Sequence, residues 1–202
     1  MVAVLTGDVV NSRNRDNPND WLSPLKDCLT LYGKSPAEWE IFRGDSFQLL
    51  LSPESKIMRI AFHLKAALKS VDDLDVRLAI GVGDLSHQAD RITESNGSAF
   101  VRSGELFDQL KNTGATMALL TNSEDKNAWI ERTLTLAAII ADNWNPGTAR
   151  VIAAQLTHVD YSQTQLADEL GMSQAAVSKA LKRGHFSPLM TYADFLTEQI
   201  KG

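Results

Sequence analysis

The sequence lacks the residues and segments that mark several protein classes. Its one cysteine, Cys28, cannot form an internal disulfide, which excludes a disulfide-stabilised domain and favours a reducing compartment. No apolar run approaches the roughly 20 residues that a membrane helix needs. The apolar stretch 1–8 has neither the basic flank nor the cleavage site of a signal peptide. We therefore expect a cytoplasmic protein without a membrane partner.

Basic residues are in the minority. Lys and Arg number 20 against 25 Asp and Glu, which gives a net charge of -5. This balance excludes a uniformly basic surface, so any contact with nucleic acid must come from a local patch of Lys and Arg. The four histidines are scattered without the spacing of zinc ligands.

Apolar patterning predicts an α+β fold for the first part of the chain. β-branched and alternating runs predict strands at 2–5, 39–42, 46–51, 76–80 and 117–120. Helices are predicted to open near Asp20 and at Ser52, and a short one spans 104–110. This order fits a ferredoxin-like antiparallel sheet with its helices on one face.

The chain changes character after residue 121, where the strand pattern stops. Ser123 is predicted to cap a helix, and Asn145-Pro146-Gly147 to end that helix and start another. Everything that follows has helical patterning. The predicted division is a first domain at 1–122, a connecting helix and linker at 123–146, and an all-α domain at 147–202.

Residues 163–181 carry the strongest motif. Ser162 and Gln165 have the spacing of a capping box, and Gly171 suits a sharp turn between two helices. Ser173 can cap the second helix, and Met172 is predicted to fill the turn. Buried positions recur four residues apart in that helix. The pattern predicts a helix-turn-helix that binds double-stranded DNA, with a helical hairpin that only packs as the alternative.

The second helix of this motif has a polar outer face. Gln174 can pair with adenine, Ser178 with several bases, and the methyl group of Ala175 can contact thymine. Basic side chains at its end would hold phosphates. The predicted DNA-binding residues are Gln163, Ser173, Gln174, Ala175, Ser178, Lys179, Lys182 and Arg183.

A single motif of this kind reads few base pairs, and its basic charge is modest. We therefore expect a homodimer that reads two half-sites one helical turn apart. The dimer contact could come from Ile130, Leu134 and Ile139 of the connecting helix, or from the first domain itself.

A second constellation lies where the first strand ends. Asp8 follows that strand, and Asp45 lies at the tip of the 39–51 hairpin, at the same end of the sheet. Two carboxylates there could hold magnesium, and the following loop leads to a helix start that favours phosphate. Ordinary turn chemistry is the alternative for both aspartates. The predicted nucleotide-binding or phosphate-binding residues are Gly7, Ser12, Arg13, Arg43 and Gly44.

Three stretches, GDVVNSR at 7–13, RGDSFQ at 43–48 and RLAIGVG at 77–83, precede the helix-turn-helix. In this order they resemble the SatD family over nearly the whole chain. The first half in turn resembles the palm of class III nucleotidyl cyclases. In those enzymes one aspartate after the first strand and one in a Gly-Asp hairpin bind two metal ions and the triphosphate. The resemblance implies this role for Asp8 and Asp45.

Other cyclase residues do not carry over. Val101 and Glu105 align where those enzymes use an asparagine and an arginine in the transition state, with Arg102 as a neighbouring substitute, and Ile41 falls near the base-selecting lysine. Catalysis needs contacts that strengthen in the transition state. We expect a transcription regulator with a degenerate palm that senses a nucleotide with magnesium. The alternatives are an active cyclase or phosphotransferase with a helix-turn-helix, and a palm that is only a scaffold.

Overall fold

This computed structural model describes residues 1–201, which contain five strands and eight α-helices. The strands are β1 (Val2–Val10), β2 (Trp39–Phe42), β3 (Ser46–Leu51), β4 (Asp75–Gly83) and β5 (Met117–Leu120). The helices are α1 (Asn19–Thr30), α2 (Ile57–Lys69), α3 (Ser98–Thr113), α4 (Glu124–Asp142), α5 (Pro146–Thr157), α6 (Gln163–Leu170), α7 (Gln174–Arg183) and α8 (Phe186–Lys201). The predicted α+β class is confirmed. Over the same residues, no helix is long and apolar enough to cross a bilayer.

The sheet has the order β2-β3-β1-β4-β5, with β1 in the centre. β1 pairs antiparallel with both β3 and β4, as predicted, but β5 lies parallel to β4. The predicted all-antiparallel sheet is therefore wrong, and the sheet is mixed. The cause is the β4-α3-β5 connection, because a helix that crosses over the sheet returns the chain in its original direction.

Helices cover both faces of the sheet, not one face as predicted. Ala3 and Leu5 of β1 belong to the large core that includes α1 and α2. Val4 between them packs instead with Ala99 and Phe100 of α3. Because successive side chains of a strand point to opposite faces, Asp8 lies on the α3 face together with Val4.

α3 approaches the sheet closely at Gly81 of β4. A Cβ atom placed on Gly81 would lie 2.2 Å from the carbonyl oxygen of Ala99 and 2.5 Å from the amide nitrogen of Ser103. Only glycine leaves room for this approach. The contact fixes the direction of α3, whose far end reaches the end of β1 where the candidate site lies.

The C-terminal helices share one hydrophobic core with the sheet. Buried residues of α4 to α8 join those of α2 and the strands in a single cluster, and α5 and α8 both pack on α2. An ion cluster around the buried Lys65 adds to this junction: the ammonium of Lys65 lies 2.8 Å from Asp75 Oδ1 and 2.6 Å from Asp142 Oδ1. The division at 122 and 147 stays a prediction, but the parts on either side of it pack together.

Candidate functional site

A polar cavity of about 620 Å³ opens at the end of β1. Its walls come from β1 and the loop after it, the β2-β3 turn, β4 and the last turn of α3. The lining residues are Asp8, Val9, Val10, Asn11, Ser12, Arg13, Asn14, Arg43, Asp45, Ser46, Arg77 and Lys111. Both predicted metal ligands and three of the five predicted phosphate-binding residues therefore line one cavity.

Asp8 forms an ion pair with Arg77 of β4. The two residues are directly opposite each other in the antiparallel β1-β4 ladder, which brings their side chains together on the α3 face. Arg77 Nε donates to Asp8 Oδ1 at 2.8 Å, and the second guanidinium nitrogen donates to Oδ2 at 2.5 Å. The hydrogen bonds from Arg77 to Asp8 raise the pKa of Arg77 above its ordinary value. Each oxygen of Asp8 thus accepts a hydrogen bond from the same guanidinium group.

Asp45 is held by the end of β1 and the loop that follows it. The hydroxyl of the buried Ser12 donates to Asp45 Oδ2, and the backbone N–H of Val9 donates to the Asp45 carbonyl at 3.2 Å. The preceding turn residues Arg43 and Gly44 have φ angles of 49° and 88°. This left-handed turn is uncommon for an arginine, and it places Arg43 at the rim of the cavity.

Three further cations accompany Arg77 around the cavity: Arg13, Arg43 and Lys111. All three are exposed. Over residues 1–201, neither Arg13 nor Arg43 has a carboxylate within ion-pair distance. Lys111 lies 3.9 Å from the exposed Asp108, a separation at which a surface pair contributes little. The cavity thus has more positive than negative charge.

Gly7 and Gly44 are not among the residues that line the cavity. Gly7 lies on the opposite face of β1 from Asp8. A Cβ atom there would lie 2.7 Å from both the carbonyl oxygen of Arg77 and the ring of Phe47. Close packing accounts for Gly7, and a positive φ in the turn accounts for Gly44.

The side chains around Asp8 and Asp45, as arranged, do not fit a preformed magnesium site. Magnesium prefers oxygen ligands in octahedral geometry, but Arg77 donates a hydrogen bond to each Asp8 oxygen and brings a positive charge beside them. Within residues 1–201 there is no group of three or more His, Cys, Asp or Glu side chains placed to hold a metal ion.

The positions aligned with the cyclase transition-state residues lie outside the cavity. Val101 and Glu105 are exposed in the first half of α3, whereas Lys111 near its other end lines the cavity. Arg102 donates from its guanidinium to the carbonyl oxygen of Val82 at 2.8 Å, near the opposite end of β4 from Arg77.

A second candidate surface is formed by α6 and α7, which are joined by a three-residue turn. Every capping interaction predicted for this motif is present. The Ser162 side chain accepts from the Gln165 N–H while the Gln165 side chain accepts from the Ser162 N–H, and the Ser173 side chain caps α7. Gly171 ends α6 with a φ of 64°. The prediction that Met172 fills the turn is wrong, because its side chain is exposed.

α7 packs through one side and exposes the other. Val177 and Leu181 are the two positions, four residues apart, that the sequence predicts to be buried, and both are buried against α5 and α6. The exposed members of the predicted DNA-binding set are Ser173, Gln174, Ala175, Lys179, Lys182 and Arg183, and Gln163 and Ser178 are half-buried. Gln174 Nε2 donates to Gln163 Oε1 at 2.9 Å, so α6 fixes the orientation of the first polar side chain of α7.

An apolar surface lies on α4 and α8. Ile130 and Leu134 are buried in the chain's own core, so the predicted dimer contact is wrong for these two residues. Leu136, Ile139 and Phe195 are more than half exposed. Leu136 and Phe195 border an open groove of about 590 Å³ between the two helices.

Sequence reasoning missed Arg77 and Lys111 as cavity residues. Arg77 could be found only through the register of β4 against β1, because the two partners are 69 positions apart. Lys111 depends on the length and direction of α3. Neither position can be inferred from neighbouring residues in the sequence, whereas strand ends and the Gly-Asp turn indicate Asp8 and Asp45.

The fold and its cavity define an α+β protein with a cavity lined by basic side chains at one end of a mixed sheet. The model of the SatD family matches residues 1–192. This match covers nearly the whole chain, and the chain belongs to the SatD family. No curated protein matches the chain, and no solved structure does.

Proposed function

We propose that this protein is a DNA-binding transcription regulator that reads double-stranded DNA through a helix-turn-helix formed by α6 and α7. The observation that carries the proposal is the exposed, polar and basic face of α7. The opposite side of α7 is apolar and buried, the Ser173 side chain caps the helix, and a turn that contains Gly171 precedes it. In such a motif the second helix enters the major groove with its first residues toward the bases.

The residues of α7 divide into two roles. Gln174 and Ala175 lie in the first turn and are proposed to contact base edges, with Ser178 one turn further along. Lys179, Lys182 and Arg183 are exposed, and they are proposed to contact phosphates. The Gln163–Gln174 hydrogen bond supports this division, because a base-reading side chain discriminates best when its orientation is fixed before binding.

The sheet domain is proposed to sense a phosphate-bearing ligand, such as a nucleotide. The order β1-α1-β2-β3-α2-β4 is that of a ferredoxin-like unit, which supports the likeness to a cyclase palm. The basic cavity at the end of β1 supports an anionic ligand. Magnesium at Asp8 and Asp45 stays a prediction, made from their positions in the sequence and from the resemblance.

An active cyclase or phosphotransferase is the second candidate. Both aspartates that the resemblance implies lie in one cavity, which favours it. The exposed positions of Val101 and Glu105, outside that cavity, favour binding without turnover. Formation of a cyclic nucleotide from ATP or GTP with magnesium or manganese, and its loss in Asp8→Asn, would establish the enzyme.

DNA reading is tested by selecting duplexes from a randomised library with the full-length protein and sequencing the bound fraction. We expect a short enriched motif, repeated one helical turn apart. The control is the variant with Lys179, Lys182 and Arg183 all replaced by Ala, which should retain almost no duplex because the phosphate contacts are gone. Recovery of random sequence by the wild type would refute sequence-specific reading.

A further inference from the structure

We propose that the cavity at the end of β1 binds a phosphate-type polyanion directly through its arginine and lysine side chains, without a bridging metal ion. This inference rests on the sensing part of the proposed function and deepens it. It names the ligand class, a di- or triphosphate chain, and the way in which the chain is held. It does not depend on DNA binding.

The side chains that line the cavity carry a net positive charge. Arg13, Arg43, Arg77 and Lys111 contribute four positive charges to its walls, and Asp8 and Asp45 contribute two negative ones. The bidentate pair of Asp8 with Arg77 neutralises one charge of each sign. The remaining Asp45 cannot balance the other three cations, even with the exposed Asp108 that lies 3.9 Å from Lys111. The cavity therefore attracts an anion and repels a free divalent cation.

The basic side chains lie on different walls of the cavity. Arg13 lies on the loop after β1 and Arg43 on the β2-β3 turn, so they approach the cavity from two different walls. A guanidinium group presents paired N–H donors that match two phosphate oxygens, and it stays charged at any physiological pH. Neither arginine has an ion-pair partner within residues 1–201 that an anion would have to displace.

The two carboxylates of the cavity are each bonded to a neighbouring side chain of the protein. Asp8 fixes Arg77 at the base of the cavity through two hydrogen bonds, and Asp45 accepts from the buried Ser12 hydroxyl. These contacts hold β4 and the loop after β1 in place. In this arrangement the aspartates position cations and the loop, and the cations contact the ligand.

The test is isothermal titration of the full-length protein with pyrophosphate and, separately, with ATP. Each titration is run once in EDTA and once in excess magnesium. We expect binding in EDTA, and equal or weaker binding with magnesium, because the metal neutralises part of the ligand's charge. Tighter binding of ATP than of pyrophosphate would identify a nucleotide as the source of the phosphate chain.

Three variants locate the site. Arg13→Gln and Arg43→Gln should each weaken binding in EDTA by about tenfold or more, since each removes a charge-assisted contact. Arg132→Gln is the matched control, because Arg132 is an exposed arginine of α4 that does not line the cavity. Asp45→Asn should bind the anion as well as or better than the wild type, because it removes a negative charge and keeps an oxygen for the Ser12 hydroxyl.

Each outcome decides between the accounts. Binding that requires magnesium and disappears in Asp45→Asn would overturn metal-free binding and leave nucleotide sensing intact. Binding in EDTA that ignores both arginine variants would place the anion elsewhere and also overturn the inference. No binding of either ligand under any condition would overturn the sensing function itself, while the DNA selection would still report on α7.

Discussion

Gln174 and Lys182 lie in the same helix, α7, but are expected to contact different parts of DNA. Replacing Gln174 by Ala should weaken the free energy of binding to the enriched DNA sequence by about 1–3 kcal/mol, and it should relax the preference at one base pair. Replacing Lys182 by Ala should weaken binding to all sequences alike and flatten the salt dependence, because one phosphate contact is lost. Fluorescence anisotropy with selected and scrambled duplexes at several salt concentrations measures both effects.

The orienting partner of Gln174 offers a control for this prediction. Gln163→Ala leaves the reading side chain in place but removes its hydrogen bond. We expect a smaller loss of specificity than for Gln174→Ala, in the same base position. Equal affinities of all three variants and the wild type on both duplexes would show that this face does not enter the groove.

His63 gives a prediction for pH at the residue scale. It is buried in α2, where its ring contacts the Tyr32 hydroxyl at 2.5 Å and the Thr157 hydroxyl at 3.1 Å. Burial lowers the pKa of His63 from 6.5 to about 4. Between these two values the unfolded chain binds a proton that the folded chain does not, so stability falls as the pH is lowered through this window.

The expected loss in the free energy of unfolding is about 2–3 kcal/mol between pH 7 and pH 4.5. Urea unfolding of the wild type and of His63→Gln at both pH values measures it, since the variant lacks the titrating ring and shares all other acid effects. The two proteins should differ in their pH dependence by roughly this amount. Parallel curves would mean that His63 titrates normally in the folded protein.

At the scale of elements, the position of α7 depends on its contact with α5 at Gly184. The Gly184 carbonyl accepts from the buried Trp144 indole at 2.9 Å. A Cβ atom at Gly184 would lie 2.5 Å from Ile152 Cδ1 and 2.8 Å from Thr148 Cγ2. Gly184→Ala should therefore lower the free energy of unfolding by about 1–3 kcal/mol, because the added methyl group overpacks this contact. It should also weaken DNA binding, because α7 has to shift.

Gly147 in the first turn of α5 is the matched control for this substitution. The nearest atom to a Cβ there is Asn145 Oδ1 at 3.7 Å, an ordinary contact. Gly147→Ala should leave stability unchanged or raise it by up to about 1 kcal/mol, because alanine loses less backbone entropy in a helix. Thermal unfolding of both variants measures the difference. Equal Tm values for the two would contradict the close approach of α5 and α7.

Helix caps and the hairpin were predictable from the sequence because their signals are local. Ser123, Asn145, Ser162 and Ser173 each accept the backbone N–H expected of a cap. The predicted hairpin strands 39–42 and 46–51 match β2 and β3. In each case a side chain and the backbone within three residues of it determine the structure.

Element starts without such a cap were predicted less well. Ser52 does not cap α2, which begins at Ile57, and α3 begins at Ser98 instead of 104. Gly104 suggests a helix boundary in sequence, but it lies inside α3 with open space around it. Tertiary contacts such as that of Gly81 with α3 extend the helix past it. The parallel β5 and the Asp8–Arg77 pair also depend on contacts between distant segments, which spacing along the chain does not report.

At the scale of the whole molecule, the expected homodimer has a better candidate contact than the one predicted from the sequence. Leu136 is 65% exposed on α4, and it lies beside the groove bordered by Phe195 of α8. An exposed apolar patch of this kind is typical of an interface. Leu136→Asp should shift the protein from dimer to monomer in sedimentation equilibrium at micromolar concentration.

The control for this prediction is Leu31→Asp. Leu31 is a similarly exposed leucine, 55%, at the end of α1 and away from the groove. It should leave the dimer intact. A wild-type protein that is monomeric both free and on DNA would remove the dimer from the account, and a dimer unaffected by Leu136→Asp would move the contact to another face.

The central claim is that α7 lies in the major groove of DNA, and site-directed crosslinking tests it most directly. A thiol-reactive photo-crosslinker is attached to Ala175→Cys in α7 and, as a control, to Glu105→Cys in α3, across the sheet. The native Cys28 stays unlabelled because it is buried and burial raises its pKa. On the selected duplex we expect crosslinks from position 175 to major-groove bases at two places about 10 base pairs apart, and none above background from position 105. Equal crosslinking from the two positions, or none from position 175 on a bound duplex, would contradict the account.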